Sequence, residues 1–170
     1  AIFAPSYSMM ERIYSDFVNS GWSSKKILKE EQRMSKGGVE SIISKLYEQK
    51  EMGGAVIFGV LNGKLSEGVD YSDNVLDSLV CIGLPLPPPS SKQDSLIDYF
   101  TKKFDRNRAW KYASLQPAVN SVLQALGRPI RKKEDRAIIV LLENRILERR
   151  VSDCMPSMMK IQTSNPSRTA

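Results

Sequence analysis

Ala55-Val-Ile-Phe-Gly-Val60 is a continuous apolar run, opened by the breaker Gly53-Gly54 and followed by the polar loop Gly63 to Tyr71. A strand with one face in water alternates apolar and polar residues. An unbroken run instead suits a strand covered on both faces, as in a parallel sheet between helices. The flanking segments supply the helices. Upstream, Val39, Ile42, Ile43, Leu46 and Tyr47 keep helical spacing and predict a helix from Val39 to Gln49. Lys26 to Glu31 reads as a strand. Met9, Met10, Ile13, Tyr14 and Phe17 predict a helix from Ser8 to Ser20, ended by Gly21. Ala1-Ile-Phe-Ala4 is a short apolar strand closed by Pro5. Downstream, Leu79 to Leu84 is a second buried strand, and Pro85-Leu-Pro-Pro-Pro-Ser-Ser91 is a stiff connector. Helices follow over Gln93 to Arg106, near Ala109, and over Pro117 to Leu126. The strand Ala137 to Leu142 closes the sheet. This alternation predicts an α/β domain, a mostly parallel sheet flanked by helices. Ligands in such folds sit beyond the carboxyl ends of the strands. Loops 5–8, 61–71 and 83–91, with the Arg128 region, are therefore the places to seek a site.

The chain has 170 residues, enough for one domain with a core, and its 41% hydrophobic and 26% charged content is ordinary for a globular protein. No apolar run is long enough to span a bilayer, so no membrane partner is expected. Glu11, Arg12 and Asp16 exclude a signal peptide at the start. The chain opens at Ala1 inside an apparent strand, as an excised fragment would. Its formal net charge of +6 suits a polyanionic partner and equally an ordinary soluble domain. There is no histidine, which excludes a His-based triad or metal centre. Cys81 and Cys154 are too few for a disulfide framework or a zinc site, so no metal ligands are assigned, and an intracellular location is expected. Cys81, within Leu79-Val-Cys-Ile82, reads as a buried core thiol.

Chemistry concentrates in Gln124-Ala-Leu-Gly127-Arg128-Pro-Ile-Arg131. Two arginines three residues apart at a helix end offer planar donor forks matched to phosphate oxygens. The bland alternative is a basic helix terminus complementing its dipole, extended by Lys132, Lys133 and Arg136. Gly59-Val-Leu-Asn-Gly63-Lys64-Leu65 approaches a P-loop but is one residue short, with Leu65 where a hydroxyl should hold magnesium. No acidic Walker B segment accompanies it, so this chain alone should not hydrolyse ATP. Gly63-Lys64-Leu-Ser66-Glu-Gly68-Val-Asp70-Tyr71 is another kind of loop. Its glycines bare backbone N–H groups, Lys64 and Ser66 suit a phosphate, and Asp70 can accept from a ribose hydroxyl. The alternative there is a turn with solvated charges. Ser6 fits a helix cap, and Trp22 and Trp110 fit packing positions. Lys102, Lys103, Arg106, Arg108 and Lys111 form either a phosphate track or a solvated helix face diluted by Asp94, Asp98 and Asp105.

In order, these segments resemble the second motor domain of superfamily-two helicases, and more closely the XPD family of iron–sulfur DNA helicases. Phe3-Ala-Pro-Ser6-Tyr7 is similar to that family's motif IV, and Gly63 to Asp70 to its motif V. Gln124 to Arg131, with Asp135-Arg-Ala and Glu143-Asn-Arg145 after it, is similar to motif VI. The resemblance spans residues 1–150; the tail 151–170 matches least and is expected to be partly docked through Met155, Met158, Met159 and Ile161, or mobile. It implies a RecA-like fold in an ATP-dependent 5′-to-3′ DNA helicase acting in nucleotide excision repair. ATP and Mg²⁺ would lie between this domain and a first motor domain, with single-stranded DNA across both. By position, Gln124, Arg128 and Arg131 would face the γ-phosphate as catalytic residues, with Gly127 beside them. Gly68 and Asp70 would couple the nucleotide to motion, and Ser6, Tyr7, Lys64 and Ser66 would line the DNA backbone. The family's P-loop and cluster cysteines belong to the first motor domain, so Cys81 and Cys154 are not expected to be cluster ligands. Arg136 stands where many relatives carry an aromatic residue. The competing reading keeps the fold and makes the chain a non-catalytic module for single-stranded nucleic acid or protein docking.

Overall fold

A computed structural model describes residues 1–21 and 23–164. Five strands form one sheet in the order β2-β3-β1-β4-β5. They are β1 (Ile2–Ala4), β2 (Lys26–Lys29), β3 (Ala55–Val60), β4 (Ser78–Ile82) and β5 (Ile138–Leu142), and every pairing is parallel. Helices α1 (Tyr7–Ser20), α2 (Lys36–Lys50), α3 (Ser91–Thr101), α4 (Arg106–Trp110), α5 (Gln116–Leu126) and α6 (Arg149–Ser152) connect or follow them. The expected α/β architecture is present.

The two faces of the sheet are unequal. On one, Phe3, Ile57, Leu79 and Cys81 pack with Ile42 and Leu46 of α2 and with Val119 and Val122 of α5. On the other, Ala4, Phe58 and Val60 pack with Met10 and the flanking side chains of α1. Residues of β3 alternate between these clusters, which is why its sequence is apolar throughout.

Helix boundaries follow their caps. Ser6 accepts from the Met9 N–H at 3.3 Å, and Gly21 ends α1 at φ 63°, in the left-handed region. Helix α2 starts at Lys36 rather than Val39, because Ser35 caps it ahead of Gly37 and Gly38. Helix α3 spans Ser91–Thr101 rather than extending to Arg106, and Asp105 opens α4 by accepting from the N–H groups of Asn107 and Arg108. Between α4 and α5, Lys111–Leu115 forms a π-helical turn that makes the backbone helical without a break from Arg106 to Leu126. Pro117 has no N–H to give the carbonyl of Ala113, and the Gln93 amide donates to that oxygen instead, at 2.9 Å. Trp110 packs against the larger core, as expected of it. Trp22 lies outside the described residues, as does the end of the tail.

After β5 comes a 3₁₀ turn (Asn144–Leu147), then α6, both unexpected. Ile146, Val151 and Cys154 are buried in the larger core, with Met155 and Met159 packed against it, while Met158 is 85% exposed. Among the described residues no helix is long and apolar enough to cross a membrane.

Candidate functional site

The loops after β1 and β3 leave the carboxyl end of the sheet side by side, because the two strands are paired there, Ala4 opposite Val60. The loop after β3 is anchored from within: Leu65, Ser66, Val69 and Tyr71 are buried. The Tyr71 hydroxyl donates to the Leu65 carbonyl at 2.8 Å, and the Ser66 hydroxyl to the Gly63 carbonyl at 3.1 Å. Gly68 sits at φ 74° on an exposed turn with open space where a Cβ would stand. That conformation favours glycine.

Helix α5 delivers the arginines to this loop. Arg128, half-buried, donates from Nε to the Ser66 carbonyl at 2.8 Å and from Nη1 to the Val69 carbonyl at 3.1 Å. Arg131 lies within 3.5 Å of the same Val69 carbonyl and 3.6 Å from the Asp70 carboxylate. Its own turn is held by Asp135, whose Oδ2 accepts from the backbone N–H groups of Arg131 and Lys132 at 2.8 and 2.7 Å. Those two bonds hold the Asp135 carboxyl below the usual range. Gln124, Gly127, Arg128 and Arg131, with Leu123, line a shallow concavity of about 200 Å³. Gln124 makes no side-chain hydrogen bond among the described residues and is exposed.

Two of the four residues expected to line DNA, Tyr7 and Lys64, meet at a different centre, Glu30, just beyond β2. This glutamate is 0% exposed. Its Oε1 accepts from the Tyr7 hydroxyl at 2.9 Å and from the Lys64 N–H at 2.7 Å, while Oε2 accepts from the Val60 N–H at 3.2 Å. Burial, then the hydrogen bond and charge of Glu30, push the Tyr7 phenol up to about 12. The Lys64 ammonium bonds the Met34 carbonyl. Ser6 is exposed at the head of α1, and the Ser66 hydroxyl is turned into its loop.

The expected site residues thus fall into two groups joined by one loop. Arg128 and Arg131 meet the Ser66–Asp70 turn on one side, with Gln124 and Gly127 beside them in the concavity, and Tyr7 and Lys64 meet at Glu30 on the other. Sequence reasoning missed Glu30, which stands beside an exposed Glu31 in Lys26-Ile-Leu-Lys-Glu-Glu31. The only mark of it is indirect: a Cβ on Gly59 would come within 2.9 Å of its Oε2, and one on Gly63 within 2.6 Å of its Oε1.

Among the described residues no three acidic, cysteine or histidine side chains cluster in a way that could hold a metal ion. Cys81 and Cys154 are both buried, and burial pushes the Cys81 thiol up to about 12. That disfavours the thiolate a metal or cluster needs.

A family model described as Helicase C-terminal domain matches residues 1–162. The chain is 28% identical over 178 residues to the ATP-dependent DNA helicase DDX11 of Danio rerio, covering 95% of this chain and 20% of that protein. It is 27% identical over 158 residues to a Fanconi anemia group J protein homolog of Gallus gallus, covering 84% of this chain and 12% of that one. Among solved structures, an XPD helicase superposes with a TM-score of 0.66 at 26% identity, over 91% of this chain and 26% of that chain. The fold is accordingly RecA-like, and the chain spans about a quarter or less of each of these relatives.

Proposed function

This chain belongs to the helicase C-terminal domain family, and from that premise we propose that it is the second motor domain of an ATP-dependent DNA helicase of the XPD type. The observation that carries the reading is the mounting of Arg128 and Arg131 on the carbonyls of the Ser66–Val69 turn, beside an open concavity. Two of the five Arg128 donors are spent on the loop, which fixes the plane of the guanidinium and leaves the others for an incoming anion. Arg131 is 39% exposed, and its long contacts can be exchanged for a phosphate. Preorganised cations at a dry phosphate-transfer site stabilise the charge that develops there.

The fit is to half of a site. The arginine forks and the Gln124 amide suit the phosphate end of a nucleotide, whose P-loop side would come from a first motor domain. Magnesium, when bound, neutralises phosphate charge, and its protein ligands would come from that domain too. The iron–sulfur cluster of the XPD family does not fit the two buried thiols here and would be held elsewhere in the full protein. Closing two motor domains on ATP and reopening after hydrolysis would turn differential nucleotide affinity into motion. Tyr7, Lys64 and the head of α1 present the DNA-facing side, where backbone contacts fix position without reading sequence. The XPD likeness extends the reading to 5′-to-3′ translocation and to nucleotide excision repair.

In the full-length protein, Arg128→Ala is expected to cut DNA-stimulated ATP turnover by about a thousandfold or more, with single-stranded DNA affinity within a few fold of wild type. Arg128→Lys keeps the charge without the fork and is expected to stay far below wild type. Near-normal turnover in either variant overturns the arginine role. A wild-type protein that binds single strands and never hydrolyses ATP leaves the non-catalytic module as the reading.

A further inference from the structure

Glu30 is a fully buried carboxylate that nothing in the proposed nucleotide or DNA contacts uses. Buried carboxylates are rare because leaving water costs several kcal/mol, and they persist where donors converge on them. Here three do, from three different segments: the Tyr7 hydroxyl after β1, the Val60 N–H at the end of β3 and the Lys64 N–H inside the following loop. The seat is built closely around the side chain. A Cβ on Gly63 would approach Oε1 to 2.6 Å and the Val60 carbonyl to 2.7 Å, so this corner accepts only glycine without movement.

Glu30 and Arg128 are two of the loop's anchors. Glu30 holds it at Lys64, and Arg128 holds it at the Ser66 and Val69 carbonyls. Between the two lies only the buried turn of Leu65 and Ser66. A displacement of the Tyr7 hydroxyl is therefore felt, through one carboxylate oxygen and one short stretch of backbone, at the arginine that faces the concavity.

We infer that Glu30 is a positioning residue that couples single-stranded DNA at Tyr7 to nucleotide turnover at Arg128, through the Tyr7–Glu30–Lys64 hydrogen bonds and the loop they anchor. The inference rests on the helicase reading and assigns Glu30 no contact with DNA or ATP. The relay needs an acceptor at the Oε1 position, because both the phenol and the Lys64 N–H donate to that atom. Glu30→Gln can keep such an acceptor there, losing only the Val60 N–H bond at the other oxygen, whereas Glu30→Ala cannot.

The test uses the full-length protein and reads the ratio of ATP turnover at saturating single-stranded DNA to turnover without DNA. Both rates come from one preparation, so the folded fraction cancels and a merely destabilising change leaves the ratio intact. Glu30→Ala is expected to lower the ratio about tenfold, and Glu30→Gln to keep it within about threefold of wild type. Tyr7→Phe, which removes one hydroxyl, is expected to lower it about threefold even with DNA saturating. A wild-type ratio in Glu30→Ala overturns the inference. If that variant does not fold, a wild-type ratio in Tyr7→Phe overturns it instead. A wild-type protein whose ratio is one removes the helicase reading and this inference together, an outcome distinct from normal stimulation that ignores Glu30.

Discussion

Strands β3 and β5 are nearly interchangeable as sequences, Ala-Val-Ile-Phe-Gly-Val against Ile-Ile-Val-Leu-Leu, and they occupy opposite situations. Ile57, Phe58, Gly59 and Val60 of β3 are buried, and none of the five residues of β5 is. In β5, Ile138 is 69% exposed and Leu142 56%. The cause is position in the sheet. Strand β3 lies between β2 and β1, with α1 over one face and α2 over the other. Strand β5 is an edge strand, at the end of the sheet opposite β2. By register Ile138, Val140 and Leu142 lie opposite Ser78, Val80 and Ile82, on the face whose α1 cluster takes in β1, β3 and Ile27 of β2 but no residue of β4 or β5. An apolar run reports that a strand can be covered on both sides; neighbours decide whether it is. The candidate-site loop leaves the covered strand, where rigid packing can hold a carbonyl in place for an arginine.

The largest expected effect breaks or upholds this contrast directly. Phe58 is 0% exposed, with the rings of Tyr14 and Phe17 edge-on at 5.6 and 5.3 Å. Phe58→Ala is expected to destabilise the domain by about 3–5 kcal/mol, read from urea unfolding. A loss under about 1 kcal/mol would mean that the α1 face is not packed as described.

How much of this was readable beforehand follows the same division. Periodicity and punctuation carried the strands, their parallel arrangement and α1 between Ser6 and Gly21, because those signals are local. Boundaries slipped where a cap outweighed propensity, as at Ser35 ahead of two glycines, or where Pro117 was absorbed into a continuous helix by a π turn. Arg128 and Arg131 could be singled out as candidates because their spacing and chemistry are encoded within eight residues. Glu30 was not, because its partners come from residues 7, 60 and 64, and only the assembled sheet brings them together. The exposure of β5 was illegible for the same reason: no feature of its own residues reports which neighbour is missing.

A smaller effect is expected at the carboxyl end of β5, where polar bonds rather than burial fix the chain. Glu143 receives the Arg145 guanidinium at 2.6 and 2.8 Å and the Arg145 backbone N–H at 3.0 Å. The Arg145 side-chain bonds come first among the causes that hold the Glu143 carboxyl below its ordinary range. A carboxyl depressed in the folded state stabilises above its unfolded value of about 4.3, and that stabilisation fades as pH falls through the folded one. The guanidinium is 41% exposed, so solvent screens the pair. Glu143→Gln is expected to cost about 0.2–1 kcal/mol at pH 7. The gap between wild type and variant should close as urea unfolding is repeated below about pH 4. A gap that widens in acid would remove the pair from the account.

The smallest effect is the sharpest test of the edge. Ile138 points from the uncovered face, and its backbone N–H is already spent on the Asp77 carbonyl at 3.0 Å. Thr keeps the β-branch that a strand favours and replaces an exposed ethyl group with a hydroxyl that water can satisfy. Ile138→Thr should therefore change stability by no more than about 0.5 kcal/mol, although the same exchange at a covered position leaves a hydroxyl without a partner and costs several times more. Unfolding measured on this chain at two concentrations tenfold apart separates the two explanations of a larger loss. A loss that vanishes on dilution would show that the β5 face is covered by a second copy at the higher concentration. A loss independent of concentration would place Ile138 inside the fold, and β5 would no longer be the uncovered counterpart of β3.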